Sequence, residues 1–219
     1  MMEFKIDIKI FLIALVFLLV NQIYMYILFM IFAIIHECFH LLAGIILGYK
    51  VKSIRIMPLG LSIAFNEKEE EYNTKIKKSN FNNVKKIIIL LMGPISNIVI
   101  AFFFMLLNMA IPVYINILIA IFNLLPIYPL DGGQILNRLS RIIYGNFEAY
   151  KISNSVNNII MSILTALASI GLLYTKNIAI IFIIMFLWYL IIKENKKYKE
   201  ICKYFKSFHK LDKKSNYNI

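Results

Sequence analysis

Apolar segments long enough to cross a lipid bilayer dominate this 219-residue sequence. A helix needs about 20 mostly apolar residues to span the hydrocarbon core, and lipid offers no hydrogen-bond partners to an open backbone. Hydrophobic residues make up 60% of the chain, which excludes a water-soluble domain. The sequence predicts an all-α polytopic membrane protein with about six transmembrane helices. Their approximate limits are 8–20, 23–48, 87–107, 113–130, 159–174 and 178–192.

Basic residues predict the orientation of these spans. All but one of the 24 Lys and Arg residues fall in the segments 1–9, 49–86, 131–158 and 193–219, and the exception is Lys176. Six spans place these four segments on one face, whereas five spans would divide them between faces. Since cytoplasmic loops carry the excess of Lys and Arg, both termini are predicted to be cytoplasmic. Membrane topology thereby accounts for the net charge of +12, and no nucleic-acid partner is expected.

Two of the basic segments have a local pattern of their own. The stretch 49–67 has β-branched residues and partial alternation around a break at Pro58 and Gly60, which predicts a short membrane-edge β-hairpin after the second span. The segment 193–219 is basic and amphipathic in places. It is predicted to be a cytoplasmic tail, which either lies on an anionic membrane surface or serves only as a topology anchor.

The second predicted span holds two histidines and a glutamate within the apolar stretch IFAIIHECFHLLAGII. His36, Glu37 and His40 form the pattern H-E-x-x-H. On a helix the two histidines lie one turn apart on the same face, where their imidazoles can bind one metal ion while the glutamate reaches a water beside it. The alternative is a polar cluster that only joins helices. Ionisable groups at membrane depth are costly and usually functional, which favours the metal site.

A catalytic metal site with two histidines needs a third protein ligand. His209 lies in the tail, and among the acidic residues only Glu37 and Asp131 occupy or adjoin the apolar spans. Because Glu37 is needed as the base, Asp131 is the candidate ligand, although Asp-Gly is also a common turn sequence. Pro126 and Pro129 interrupt the fourth span just before it. A broken helix at membrane depth is tolerated where it lines a polar cavity.

One further polar residue, Asn123, lies in the fourth span. It has two interpretations, and the residues alone do not separate them. Its amide either forms a hydrogen bond to a neighbouring helix or donates to the oxyanion that develops during hydrolysis.

Three signatures together resemble the intramembrane zinc metalloproteases of the site-2 protease family, in particular the sporulation type called stage IV sporulation protein FB. They are HECFH at His36–His40, GPISN at Gly93–Asn97 and NLLPIYPLDGG at Asn123–Gly133. Their order and spacing agree with the family over roughly residues 23–140. The resemblance implies one zinc ion per chain, with His36, His40 and Asp131 as ligands. It further implies Glu37 as the catalytic glutamate and Asn123 as an active-site polar residue.

The resemblance also implies a biological setting. The expected substrate is a membrane-associated regulatory protein, such as a sigma-factor precursor during sporulation, and inhibitory membrane proteins are expected partners. The expected location is the bacterial cell membrane or the membrane that surrounds the forespore. The expected organisation is a protease domain over 1–192 and a tail over 193–219. No PDZ or CBS domain is expected, because the chain is too short for the PDZ domain of some relatives and the tail is too short for the CBS domain of sporulation-type members.

Two alternatives and one departure accompany this interpretation. A catalytically inactive relative would bind client membrane proteins without cutting them, although all three signatures are intact. A transporter would be expected to have repeated halves or several discontinuous helices, and the sequence has one such break and no internal repeat. The departure is Phe39, which stands where the family commonly has glycine. Its bulk is expected to alter helix packing beside the site.

Overall fold

A computed structural model of the chain divides into two compact units, Met1–Leu125 and Pro126–Ile219. Most of the first predicted span and the charged loop after residue 65 lie outside the described residues. The structure describes residues 3–6, 11, 14–15, 18–19, 21–57, 60–65, 76–175 and 179–215.

The first unit is built from three helices and a small sheet within its described part. The helices are α1 (Ile23–Ile46), α2 (Ile76–Leu106) and α3 (Ala110–Leu124), and the strands are β1 (Glu3–Ile6), β2 (Val51–Met57) and β3 (Gly60–Phe65). Helix α2 packs against both α1 and α3. It contains Pro94, which lacks a backbone N–H and so leaves one helical carbonyl without its usual partner.

The sheet is larger than the predicted hairpin. Strands β2 and β3 pair antiparallel, and β1 adds to the other edge of β2 in a parallel arrangement, so that β2 is the central strand. The sequence does not predict a strand at residues 3–6, because four residues are too few to show the alternation that indicates a strand. The sheet touches α1 where the ring of Phe65 lies against Gly44, since a β-carbon at that glycine would overlap the ring. Its position at the membrane edge stays a prediction.

The second unit consists of helices in its described part. They are α4 (Asp131–Tyr144), α5 (Asn146–Thr175) and α6 (Ala179–Ser215). The predicted connection 131–158 is therefore not a loop, because α4 and the first half of α5 occupy it. Gly145, with a φ of 82°, separates the two helices in a backbone conformation that favours glycine. The predicted tail continues α6 as helix to Ser215.

Among the described residues, three helical segments are long and apolar enough to cross a membrane: Ile23–Ile46, Asn80–Leu106 and Asn146–Leu172. Helix α3 is apolar but has 15 residues, and it ends at Leu124 where the sequence predicted a span to residue 130. Large apolar side chains on α2 face outward, and Phe102, Phe103 and Leu106 are each more than half exposed. Such an extended apolar surface is expected of helices that face lipid. The six-span count and the cytoplasmic termini stay predictions.

Candidate metal centre

His36 and His40 lie one helical turn apart on α1, with their side chains pointing to the same place. Their Nε2 atoms are 3.1 Å apart, and their rings are nearly perpendicular at 88°. Both residues are buried, at 2% and 6% exposure. A tetrahedral zinc ion about 2.0–2.1 Å from each of two nitrogens holds them about 3.3 Å apart. The separation of the two Nε2 atoms therefore suits a shared zinc ion.

Helix α2 engages the other nitrogen of each imidazole. Nδ1 of His36 lies 2.5 Å from the side-chain oxygen of Asn97, and Nδ1 of His40 lies 2.7 Å from the backbone carbonyl of Ile89. A carbonyl oxygen can only accept, so each Nδ1 is the donor and carries the proton. Each neutral ring then has its lone pair on Nε2.

This proton arrangement leaves two lone pairs facing each other. At 3.1 Å the two Nε2 atoms are close enough to bind one cation together. Metal-binding histidines commonly donate their second N–H to a carbonyl or carboxylate, which fixes the tautomer that binds the metal. His36 and His40 both have that arrangement, and the donor set fits zinc.

Gly93 on α2 lies directly against Nε2 of both histidines. A β-carbon at this position would be 2.6 Å from Nε2 of His36 and closer still to Nε2 of His40. Such approaches are far inside ordinary van der Waals contact. The absence of a side chain at Gly93 therefore keeps the space beside both nitrogens open.

Glu37 lies beside the histidines. Its carboxylate and one ring nitrogen from each histidine lie within 4.8 Å of one another, and the glutamate is half-buried. In the pattern H-E-x-x-H the glutamate is the general base, which acts on water instead of binding the metal. Its place next to both histidines is consistent with that role.

Asp131 is the first residue of α4 in the second unit and is buried. Three contacts hold the loop that leads to it. Gly133 packs so closely on the backbone of Ile127 and Tyr128 that a β-carbon would overlap both residues. The N–H of Tyr128 donates to the side-chain oxygen of Asn157 on α5 over 2.9 Å. The loop and the first turn of α4 are therefore tied to the rest of their unit.

The described side chains thus bring His36, Glu37 and His40 together within the first unit. Asn123 is half-buried in the last turn of α3. Asp131 belongs to the second unit, and its role as third ligand stays a prediction, as does the role of Asn123.

Sequence reasoning assigned no role to three residues that build the site. Asn97 and Gly93 stand in the quoted GPISN signature, and Asn116 stands in the apolar stretch IPVYINILIAIF. A buried asparagine in an apolar helix is a usable signal, because an unpaired amide is costly there. Its partner, however, depends on which helices pack together.

Comparison with known proteins identifies the family. The profile of peptidase family M50 matches residues 24–113 and 108–168. The chain belongs to peptidase family M50, and it is an integral membrane protein.

A curated protein and a solved structure, both from Methanocaldococcus jannaschii, are similar to the chain. A zinc metalloprotease is 26% identical over 168 residues, which cover 75% of this chain and 47% of the relative. The chain thus spans about half the length of that curated relative. A solved structure of a site-2 protease matches with a TM-score of 0.64 at 19% identity, over 88% of this chain and 90% of the other. This second likeness shows a shared fold.

Proposed function

We propose that the protein is an intramembrane zinc metalloprotease, an endopeptidase of the site-2 protease type. The observation that carries this proposal is the pair of Nε2 atoms, 3.1 Å apart and close to the Glu37 carboxylate, on a helix that is long and apolar enough to cross a membrane. His36 and His40 would hold one zinc ion, with Asp131 as the third protein ligand, which leaves a position open for water.

Each chemical role falls to a named side chain. When bound, zinc supplies Lewis-acid chemistry that acidifies water and polarises the scissile carbonyl. The Glu37 carboxylate accepts a proton from the attacking water and delivers it to the nitrogen of the leaving amine. The Asn123 amide donates a hydrogen bond to the oxygen of the scissile carbonyl as negative charge develops there. Burial of the two histidines keeps bulk water away from the ligating nitrogens.

The proposed substrate is a membrane-associated regulatory protein, with a sigma-factor precursor of a sporulating bacterium as the most specific candidate. Inhibitory membrane proteins are the proposed partners. The resemblance of the three signatures to the sporulation type supports both proposals. The test of the proposed substrate is co-expression of the chain with a candidate precursor. The control is co-expression with an unrelated membrane protein of similar length.

Substrate presentation is proposed to use the sheet. A helical substrate hides its carbonyls in its own hydrogen bonds, so it must be extended before cleavage, and addition to a sheet edge provides that conformation. In the described part of the sheet β3 pairs with β2 alone, which leaves its other edge available. Proline at Ile54 or Ile56 would remove an N–H from the central strand and disrupt its pairing with a neighbouring strand. The informative substitutions therefore lie in β3.

The decisive experiment compares purified wild type with Glu37→Gln on a candidate substrate, with and without a zinc chelator. The expected product appears with wild type and zinc and is lost in the variant, which keeps its zinc because the ligands are unchanged. Cleavage that persists in Glu37→Gln would sink the mechanism. Binding of the substrate without cleavage by wild type would identify an inactive relative that only binds clients.

A further inference from the structure

A buried chain of amides continues inward from the metal centre to helix α3. The Asn97 side-chain N–H donates to the side-chain oxygen of Asn116 over 2.9 Å, and the Asn116 side-chain N–H donates to the backbone carbonyl of Pro112 over 2.8 Å. Both asparagines are 0% exposed. With the bond between His36 and Asn97, the chain joins α1, α2 and α3.

The direction of this chain is set at its far end. The Pro112 carbonyl can only accept, so the NH₂ group of Asn116 must face it and its oxygen must face α2. That oxygen requires the NH₂ group of Asn97, which turns the Asn97 oxygen toward His36. The His36 Nδ1 must then carry the proton. A backbone carbonyl on α3 therefore determines which nitrogen of a histidine on α1 has the free lone pair.

We infer that Asn116 is a positioning residue that sets the metal-binding tautomer of His36 through Asn97. This inference rests on the proposed zinc site. If Asn97 were reversed, its NH₂ group would face Nδ1 of His36, and the proton of the imidazole would move to Nε2. A protonated Nε2 has no lone pair for zinc. Asn116 thus favours zinc binding without touching the ion.

A purely structural role makes a different prediction. Asn116 also joins two helices, and loss of any buried contact weakens packing. The distinguishing feature is direction, because only the tautomer hypothesis depends on which end of the Asn97 amide faces His36. A carboxylate at position 97 would accept from His36 whichever oxygen faced it, so Asn97→Asp removes the need for Asn116.

The experiment measures zinc affinity of the full chain in detergent by competition with a chromophoric chelator. Asn116→Leu is expected to weaken zinc binding about tenfold, within the range of about 10- to 100-fold for loss of a residue that orients a ligand. Asn116→Ala provides a second variant with the same loss should the leucine disturb folding. The matched control is Ile119→Ala, because Ile119 is 3% exposed on the same helix and lies outside the amide chain.

The double variant Asn97→Asp/Asn116→Leu supplies the discriminating result. Restoration of zinc affinity to within about threefold of wild type supports the tautomer hypothesis, since a carboxylate paired with a zinc-bound histidine is a common arrangement. Failure of this rescue, or equal zinc affinity in wild type and Asn116→Leu, overturns the inference while the zinc site stands. A wild-type chain that binds no zinc overturns the proposed function and the inference together.

Discussion

Adding one methyl group at Gly93 is expected to abolish most zinc binding. The β-carbon of Gly93→Ala would lie 2.6 Å from Nε2 of His36, about 0.8 Å inside a normal carbon–nitrogen contact. The rings cannot retreat freely, because Asn97 and the Ile89 carbonyl hold their Nδ1 atoms. Relief of the overlap must therefore stretch or break those hydrogen bonds.

The expected magnitude of the Gly93→Ala effect follows from these contacts. Overpacking of a filled interior costs about 1–3 kcal/mol, and each hydrogen bond lost adds about 1 kcal/mol. The total penalty of about 2–4 kcal/mol corresponds to zinc binding weaker by about 30- to 1,000-fold.

The assay is zinc content and affinity of the purified chain after dialysis against a graded chelator series. Gly44→Ala is the matched control, because it adds the same methyl group to a membrane helix in equally tight contact, but against the ring of Phe65. The control is expected to retain zinc. Wild-type zinc affinity in Gly93→Ala would refute the assignment of this glycine to the metal centre.

Three further outcomes are expected. Glu37→Gln should keep zinc and lose about 10²–10⁴-fold in the cleavage rate, measured by single-turnover assay; a rate near wild type would contradict its role as base. Gly133→Ala should push the first turn of α4 away from Ile127 and Tyr128, and thermal unfolding should show a loss of about 1–3 kcal/mol; an unchanged midpoint would argue against this close approach. A single proline at Leu61 and a single proline at Ser62 should differ in their effect on cleavage, because successive N–H groups point to opposite edges of a strand. The proline that removes an N–H from the edge of β3 away from β2 should impair cleavage while the sheet and the zinc site stay intact. Equal cleavage by both proline variants and wild type would exclude docking of the substrate at this edge.

Local sequence spacing was sufficient for the parts of the protein that depend on a single element. Apolar segments of spanning length predicted the helices, and the i, i+4 spacing of His36 and His40 predicted two imidazoles on one face, where the Nε2 atoms lie 3.1 Å apart. The period of one helix determines both features. The prediction of a loop over residues 131–158 was wrong, because α4 and the start of α5 contain many polar residues. Their composition resembles that of a loop although the segments are helical.

Only the tertiary structure decided which groups complete the centre. Asn97 and Asn116 are 19 residues apart in sequence, and neither carries a local signal that names its partner. Gly93 acquires its role because α2 packs its backbone against the rings of α1. The physical reason is that a helix period orients side chains within one element, whereas hydrogen-bond partners between helices depend on how the helices pack. The sequence by itself therefore predicted the pair of histidines, and packing determined which groups contact their rings.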